Sequence, residues 1–187
     1  MRSSLFAGGV DLNEENIAMT TVKRLALVFT ILASSVGCDQ VTKEAARACL
    51  EPGSGVSFFG DLFRLQYAEN TGAFLSLGSM LPEDLRFWVF TLANGLGLVC
   101  LLIFVLLRRN LLPANVAGLS LLIAGGVGNL IDRVSNQGAV IDFLNIGLGN
   151  FRTGIFNVAD VAIMAGAALL LLAAYAQDNA SDRERLE

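Results

Sequence analysis

Gly97-Leu98-Val99-Cys100-Leu101-Leu102-Ile103-Phe104-Val105-Leu106-Leu107 carries no charge and ends on Arg108-Arg109. Extended back to Leu85, the segment reaches the roughly 20 residues needed to cross a bilayer. Three more segments share its character: about Leu25 to Val41, about Ala114 to Ile131, and about Val158 to Gln177, the last holding Ala168-Leu169-Leu170-Leu171-Leu172. Soluble core helices are rarely this long or this free of charge. The composition agrees, with 54% hydrophobic and only 16% charged residues, where soluble domains carry about 25% charged. The expected fold is a membrane all-α one, four transmembrane helices with a small extracytoplasmic β-sheet and loop cap.

Composition also closes off several functions. A net charge of −4 argues against nucleic-acid binding, which needs a basic face. The chain has no histidine, which excludes His-based triads, HExxH zinc sites and His-ligated haem. Its three cysteines, Cys38, Cys49 and Cys100, lack CxxC spacing, and those in apolar runs read as small hydrophobes. No metal or cofactor is expected.

Four spans place both termini on one side. Lys/Arg placement beside the spans sets orientation. Lys23-Arg24 precede the first span, Arg108-Arg109 fill the short second connection, and Arg183 and Arg185 follow the fourth. These clusters share one side, taken as cytoplasmic, although Lys43, Arg47, Arg64, Arg86, Arg133 and Arg152 fall on the other. The organisation is then an N-terminal extension (1–22), a membrane domain (23–177) and a cytoplasmic tail (178–187). The extension is polar and unpatterned, and Met19 is an alternative start. The outer loop 45–83 is long enough to fold: Val56–Phe59 and Leu62–Tyr67 are strand-like around a turn at Gly60-Asp61. It is also the candidate lid. The outer loop 134–155, with Gly138, Gly147, Gly149, Asn145 and Asn150, suggests short strands and turns.

With that topology the unusual polar residues gather at one membrane face. Asp39, Asp132, Asp142 and Asp160 all fall there. A carboxylate at the centre of a span costs about 2.5–3.5 kcal/mol on insertion scales. Asp142 and Asp160 invite acid/base chemistry, in which one carboxyl is ionised and the other protonated. Asn129-Leu130-Ile131-Asp132 and Asn157-Val158-Ala159-Asp160 share the pattern Asn-x-x-Asp, which puts an amide and a carboxylate on one helix face.

Each motif has a plainer reading. Asn157 and Asp160 fit a helix cap with its third-position acid. That does not explain Asp132 and Arg133 at the far end of a helix, where the dipole disfavours an acid. Asp142 fits an edge strand or turn. Asp39 and Lys43, at i,i+4 spacing, fit an ordinary surface ion pair, which alone is the favoured reading. Asn70-Thr71-Gly72-Ala73-Phe74 fits a turn, or a holder for an extended substrate backbone. Gly125, Gly126 and Gly128 lack the Lys-Ser/Thr of a phosphate loop and suggest close helix packing. Lys23 to Cys38 imitates a lipoprotein signal peptide, but Ser35 stands where a large aliphatic residue belongs.

Taken in order, Asp39-Gln40-Val41-Thr42-Lys43, Asn70-Thr71-Gly72-Ala73-Phe74, Gly128-Asn129-Leu130-Ile131-Asp132-Arg133, Val140-Ile141-Asp142-Phe143 and Phe156-Asn157-Val158-Ala159-Asp160 resemble the type II (lipoprotein) signal peptidases of bacteria. The resemblance covers roughly residues 22–177, with Ala124 where the family often has glycine. It implies an intramembrane aspartic endopeptidase of the inner membrane, working at its extracytoplasmic face. Its substrates would be diacylglyceryl-modified prolipoproteins, cut N-terminal to the lipidated cysteine, and its partners those precursors and membrane lipid, with the enzyme a monomer. It places the catalytic dyad on Asp142 and Asp160. Asn70, Gly72, Asn129, Arg133 and Asn157 match substrate-site or supporting positions, and Asp39, Lys43 and Asp132 match other motif positions. The rival readings are a small proton-coupled transporter, which needs polar residues along a path through the bilayer, and a noncatalytic membrane scaffold.

Overall fold

The computed structural model describes residues 19–72, 82, 85 and 88–186. Helix α1 (Thr21–Cys49) begins behind Thr20, whose hydroxyl accepts from the Lys23 N–H. Strands β1 (Gly55–Phe58) and β2 (Phe63–Asn70) follow. Helix α2 (Trp88–Leu107) opens with a π-helical stretch, Trp88–Ala93, before regular α-helix from Asn94. Helix α3 (Pro113–Ser135) has proline in its first turn, where a missing N–H costs nothing. Strands β3 (Val140–Leu148) and β4 (Phe151–Arg152) lead into helix α4 (Val158–Leu186). All four helices are long and apolar enough to cross a membrane, and the chain is a multi-pass membrane protein.

The helices outrun their apolar stretches. α1 continues eight residues past Val41 through Lys43-Glu44-Ala45-Ala46-Arg47, good helix formers with an Arg47–Glu44 ion pair at 2.9 Å. α3 likewise encloses Asp132 and Arg133, and α4 carries on beyond Gln177. Apolar composition marks the part of a helix that meets lipid, whereas backbone propensity and tertiary bonds decide where it ends. The Asp39–Lys43 and Asn129–Arg133 motifs therefore sit on rigid helix rather than in loops.

α3 is the central helix and packs against α1, α2 and α4. Lipid offers no hydrophobic drive for this association, so close approach of backbones takes its place. A Cβ on Gly125 would collide with the Ala159 carbonyl of α4, and one on Gly128 would lie 2.6 Å from Asp39 Oδ2 on α1. Ala124 is fully buried in the same stretch. Away from the glycines, Val28, Val105, Val116 and Ile123 form the apolar core among the spans. At that end Arg24 donates to the carbonyls of Arg108 and Arg109, both at 2.6 Å.

The two loops between spans build one antiparallel sheet, in the order β1-β2-β3-β4. The first hairpin turns at Phe59–Leu62, with positive φ at Phe59, Gly60 and Asp61. β2 then pairs with β3 from the other loop, Phe63 opposite Ile146 and Ala68 opposite Asp142. Asp142 therefore lies on an interior strand of the sheet, not on an edge or in a turn, because β2 covers the side of β3 that local sequence leaves open. Of the candidate lid 45–83, residues 50–72 carry this hairpin; 73–81, 83 and the 1–18 part of the N-terminal extension lie outside the described residues.

Candidate active site

Asp160 stands in the first turn of α4, and Asn157 precedes that helix. Asn157 Oδ1 accepts from the Asp160 N–H at 2.9 Å, and Asp160 Oδ2 accepts from the Asn157 N–H at 3.2 Å. This is a reciprocal capping box. The plain reading of the pair thus holds, and it leaves the second Asp160 oxygen and the Asn157 amide nitrogen free for other partners. Asn157 Nδ2 donates to Asp142 Oδ1 at 2.7 Å and to Asn129 Oδ1 at 3.0 Å. Asn129 Nδ2 donates to Asp160 Oδ1 at 3.0 Å. Asn70, at the end of β2, supplies Asp142 Oδ2 with a further donor at 3.1 Å. Each carboxylate thereby receives two N–H groups, and two asparagines tie them together.

Donor-only groups fix which way both amides point. Lys43 Nζ meets Asn129 Oδ1 at 3.1 Å. An ammonium accepts nothing, so the amide oxygen must face it and the NH₂ must face Asp160. The Asp160 backbone N–H does the same for Asn157. Lys43 spends its other two protons on Asp39 Oδ2 at 2.8 Å and Asp132 Oδ2 at 2.9 Å, and is only 1% exposed. The expectation of an ordinary surface pair for Asp39 and Lys43 is overturned: α3 and α4 close over both residues. Asp39 Oδ1 also accepts from the Ala159 N–H at 2.8 Å, one of the donors a helix start leaves without an internal partner. Asp132 accepts from the Ile141 N–H at 3.0 Å and from Gln40 at 3.1 Å. Lys43 offsets the unfavourable dipole at Asp132, and the bond to Ile141 anchors β3 one residue before Asp142.

Arg133, buried beside Asn129, donates to the Gly72 carbonyl at 3.2 Å and lies 6.0 Å from the Phe90 ring in the π-helical stretch of α2. Gly72 N–H in turn donates to Asn70 Oδ1 at 3.0 Å. The ten residues singled out in the sequence therefore form one continuous network. Ala73 and Phe74 of their motif lie outside the described residues. Gln40 and Phe90 escaped notice as site residues. Gln40 lay inside a quoted motif, whereas Phe90 is hidden in an apolar run and carries no signal of its own.

The network opens on a cavity of about 1090 Å³, lined on its polar side by Asn70, Asn129, Arg133, Asp142 and Asp160. Its remaining wall is mostly apolar and runs along α4 through Met164 to Ala168, about 12 Å beyond Asp160 at helical rise. The Asp142 carboxyl is pushed up to about 7, first by burial and then by the negative charge of Asp160; the Asn70 and Asn157 amides and Lys43 pull the other way. Two cations, Lys43 and Arg133, stand among four carboxylates. Burial and the neighbouring negative charge therefore favour the protonated form of Asp142.

The model of the family described as "Signal peptidase (SPase) II" matches residues 31–176. A lipoprotein signal peptidase of Oleidesulfovibrio alaskensis is 33% identical over 152 residues, covering 81% of this chain and 96% of its own. One from Mycobacterium leprae is 36% identical, covering 85% and 76%, and one from Streptococcus pneumoniae is 35% identical, covering 81% and 94%. A solved bacterial membrane enzyme, determined by the in meso method at 2.3 Å, shares the fold with a TM-score of 0.69 at 23% identity, over 86% of this chain and 92% of that one. With the family model spanning most of the chain and these relatives matched along most of their length, the chain belongs to the signal peptidase II family of membrane peptidases.

Proposed function

We propose that this membrane peptidase removes signal peptides from diacylglyceryl-modified prolipoproteins, cutting N-terminal to the lipidated cysteine, with Asp142 and Asp160 as its catalytic pair. One observation carries the reading: two carboxylates bridged by Asn129 and Asn157 at the polar end of an apolar groove. The groove suits lipid and signal-peptide side chains, and the polar end suits a peptide bond. Burial and the anionic neighbour favour the proton on Asp142, which the proposed cycle takes as the acid.

Asp160 takes a proton from water as the water oxygen attacks the scissile carbonyl carbon. Asp142 gives its proton to the carbonyl oxygen, and a neutral gem-diol forms. When the diol collapses, the C–N bond breaks. Asp160 passes its proton to the leaving nitrogen, which becomes the amine of the lipidated cysteine. Asp142 recovers a proton from a diol hydroxyl, and one water has been added across the amide. Arg133, between Gly72 and the cavity, holds the Asn70–Gly72 turn where an extended substrate backbone would lie.

The enzyme belongs in the bacterial inner membrane, with both termini cytoplasmic and the dyad at the opposite face. The bonds from Arg24 to the 108–109 connection support this, because they gather Lys23, Arg24, Arg108 and Arg109 at one end of the bundle. The polar network gathers at the other end, which favours a peptidase over a proton path through the spans. Reconstitution with a diacylglyceryl-modified precursor peptide tests the reading. Asp142→Asn and Asp160→Asn should each abolish cleavage before the cysteine in folded protein. Near-normal processing by either variant would refute the assignment.

A further inference from the structure

The sheet has two unlike faces. Residues paired across strands share a face, and alternate residues along a strand do too. The register Val56↔Leu65↔Leu144 and Phe58↔Phe63↔Ile146, with Leu148↔Phe151, puts these apolar side chains on one face. Asp142, two residues before Leu144, shares it. The opposite face carries Ser57, Arg64, Asn145 and Arg152. Asp61, in the first turn, bonds Ser57, Arg64 and Arg152 there and braces the two hairpins together.

The apolar face reaches past the bundle. β3 meets Phe156, at the root of α4, through Leu144. Four residues further on, about 13 Å at strand rise, Leu148 is 75% exposed and its partner Phe151 is 90% exposed. The same face continues into the membrane: Ile146 of β3 and Met164 and Ala168 of the α4 span line one cavity. The overhanging end therefore presents its apolar side on the side where the α4 wall of that cavity lies, and its polar side away from it.

We propose that Val56, Phe58, Leu148 and Phe151 seat the overhanging end of the sheet in the interfacial layer of the bilayer, and so fix the depth of Asp142 relative to the lipid. Aromatic and aliphatic side chains gain from that layer what they lose in water, and Arg64 stays partly exposed on the opposite face, where Asp61 and Asn145 cover Arg152. A rigid strand links Leu148 to Asp142, so the anchor and the carboxyl move as one body. The importance of that depth rests on the catalytic role proposed for Asp142; the seating itself does not.

The test uses full-length protein in phosphatidylcholine vesicles, with Trp88→Phe removing the single native tryptophan and Phe151→Trp reporting from the sheet. Blue-shifted emission, quenched when the vesicle lipids are brominated on their acyl chains, is expected with no precursor present. The same quenching should persist when Asp142→Asn is added, so the result stands apart from catalysis. Water-like emission without quenching overturns the proposal. Quenching that appears only with bound precursor also overturns it, by making the face a substrate contact. A second variant, Leu148→Asp with Phe151→Asp, leaves the bundle untouched. It should raise KM for a vesicle-embedded precursor several-fold at nearly constant kcat; an unchanged KM overturns the seating.

Discussion

Both ends of the helix bundle bury a cation that reaches across to another element, and the two cations do different work. Among the described residues Arg24, 3% exposed, meets only backbone carbonyls, those of Arg108 and Arg109. It fastens α1 to the 108–109 connection, at the C-terminal end of α2 where a positive charge suits the helix dipole. Lys43 meets three side-chain oxygens, from Asp39, Asp132 and Asn129. Two of those lead onward, Asp39 to the Ala159 N–H at the start of α4 and Asn129 to Asp160 itself. A cation bonded to carbonyls holds a shape. A cation bonded to an amide also decides which end of that amide faces the next residue.

The sharpest break falls on the carboxylates beyond Lys43. Asp142→Asn and Asp160→Asn should each lower cleavage at least about 1000-fold, read by mass spectrometry of a lipidated precursor, while helical content stays native. Lys43→Met comes next. It strands two buried carboxylates and should cost about 3–5 kcal/mol of stability, seen as a large drop in the thermal midpoint in detergent. Combining it with Asp39→Asn and Asp132→Asn should restore much of the stability without restoring activity, because the Asn129 amide is then free to turn over. Full activity in the triple variant would reduce Lys43 to the kind of fastening Arg24 provides.

The pH dependence sharpens the same contrast. The folded Asp142 carboxyl holds its proton up to about pH 7, whereas an unfolded one lets go near 3.8. Between those values the folded state binds more protons than the unfolded chain. Stability should therefore fall as pH rises from about 4 to about 7, by up to about 1.4 kcal/mol per pH unit, and level off above. Asp142→Asn should flatten this slope in pH-dependent thermal unfolding. The smallest effect belongs to the fastening end. Arg24→Gln should cost about 1–3 kcal/mol and leave cleavage by the remaining folded enzyme unchanged.

The sequence revealed the spans, the face where the acids gather and the ten residues of the network. It also revealed the turn at Gly60-Asp61, because the residues of a tight turn are local. What it concealed was nonlocal. Lys43 looks like half of a surface pair until Asp132, on another helix, arrives as its second partner. The two loops read as separate pieces of strand because nothing within either announces that Phe63 will face Ile146. Asn157 looked like a choice between cap and site residue. In the fold its oxygen serves the cap and its nitrogen serves the carboxylates, so both are true.

The chain of amides from Lys43 to Asp142 has one more property. An amide passes polarisation along but keeps its own hydrogens, unlike a carboxyl or an imidazole. Asn129 and Asn157 are therefore insulators: the field of Lys43 reaches the dyad, and no proton does. Hydrolysis by the proposed cycle returns each proton it borrows. The pair proposed as catalytic could thus sit at the edge of an energised membrane, charged on two sides, without drawing on or short-circuiting the gradient across it.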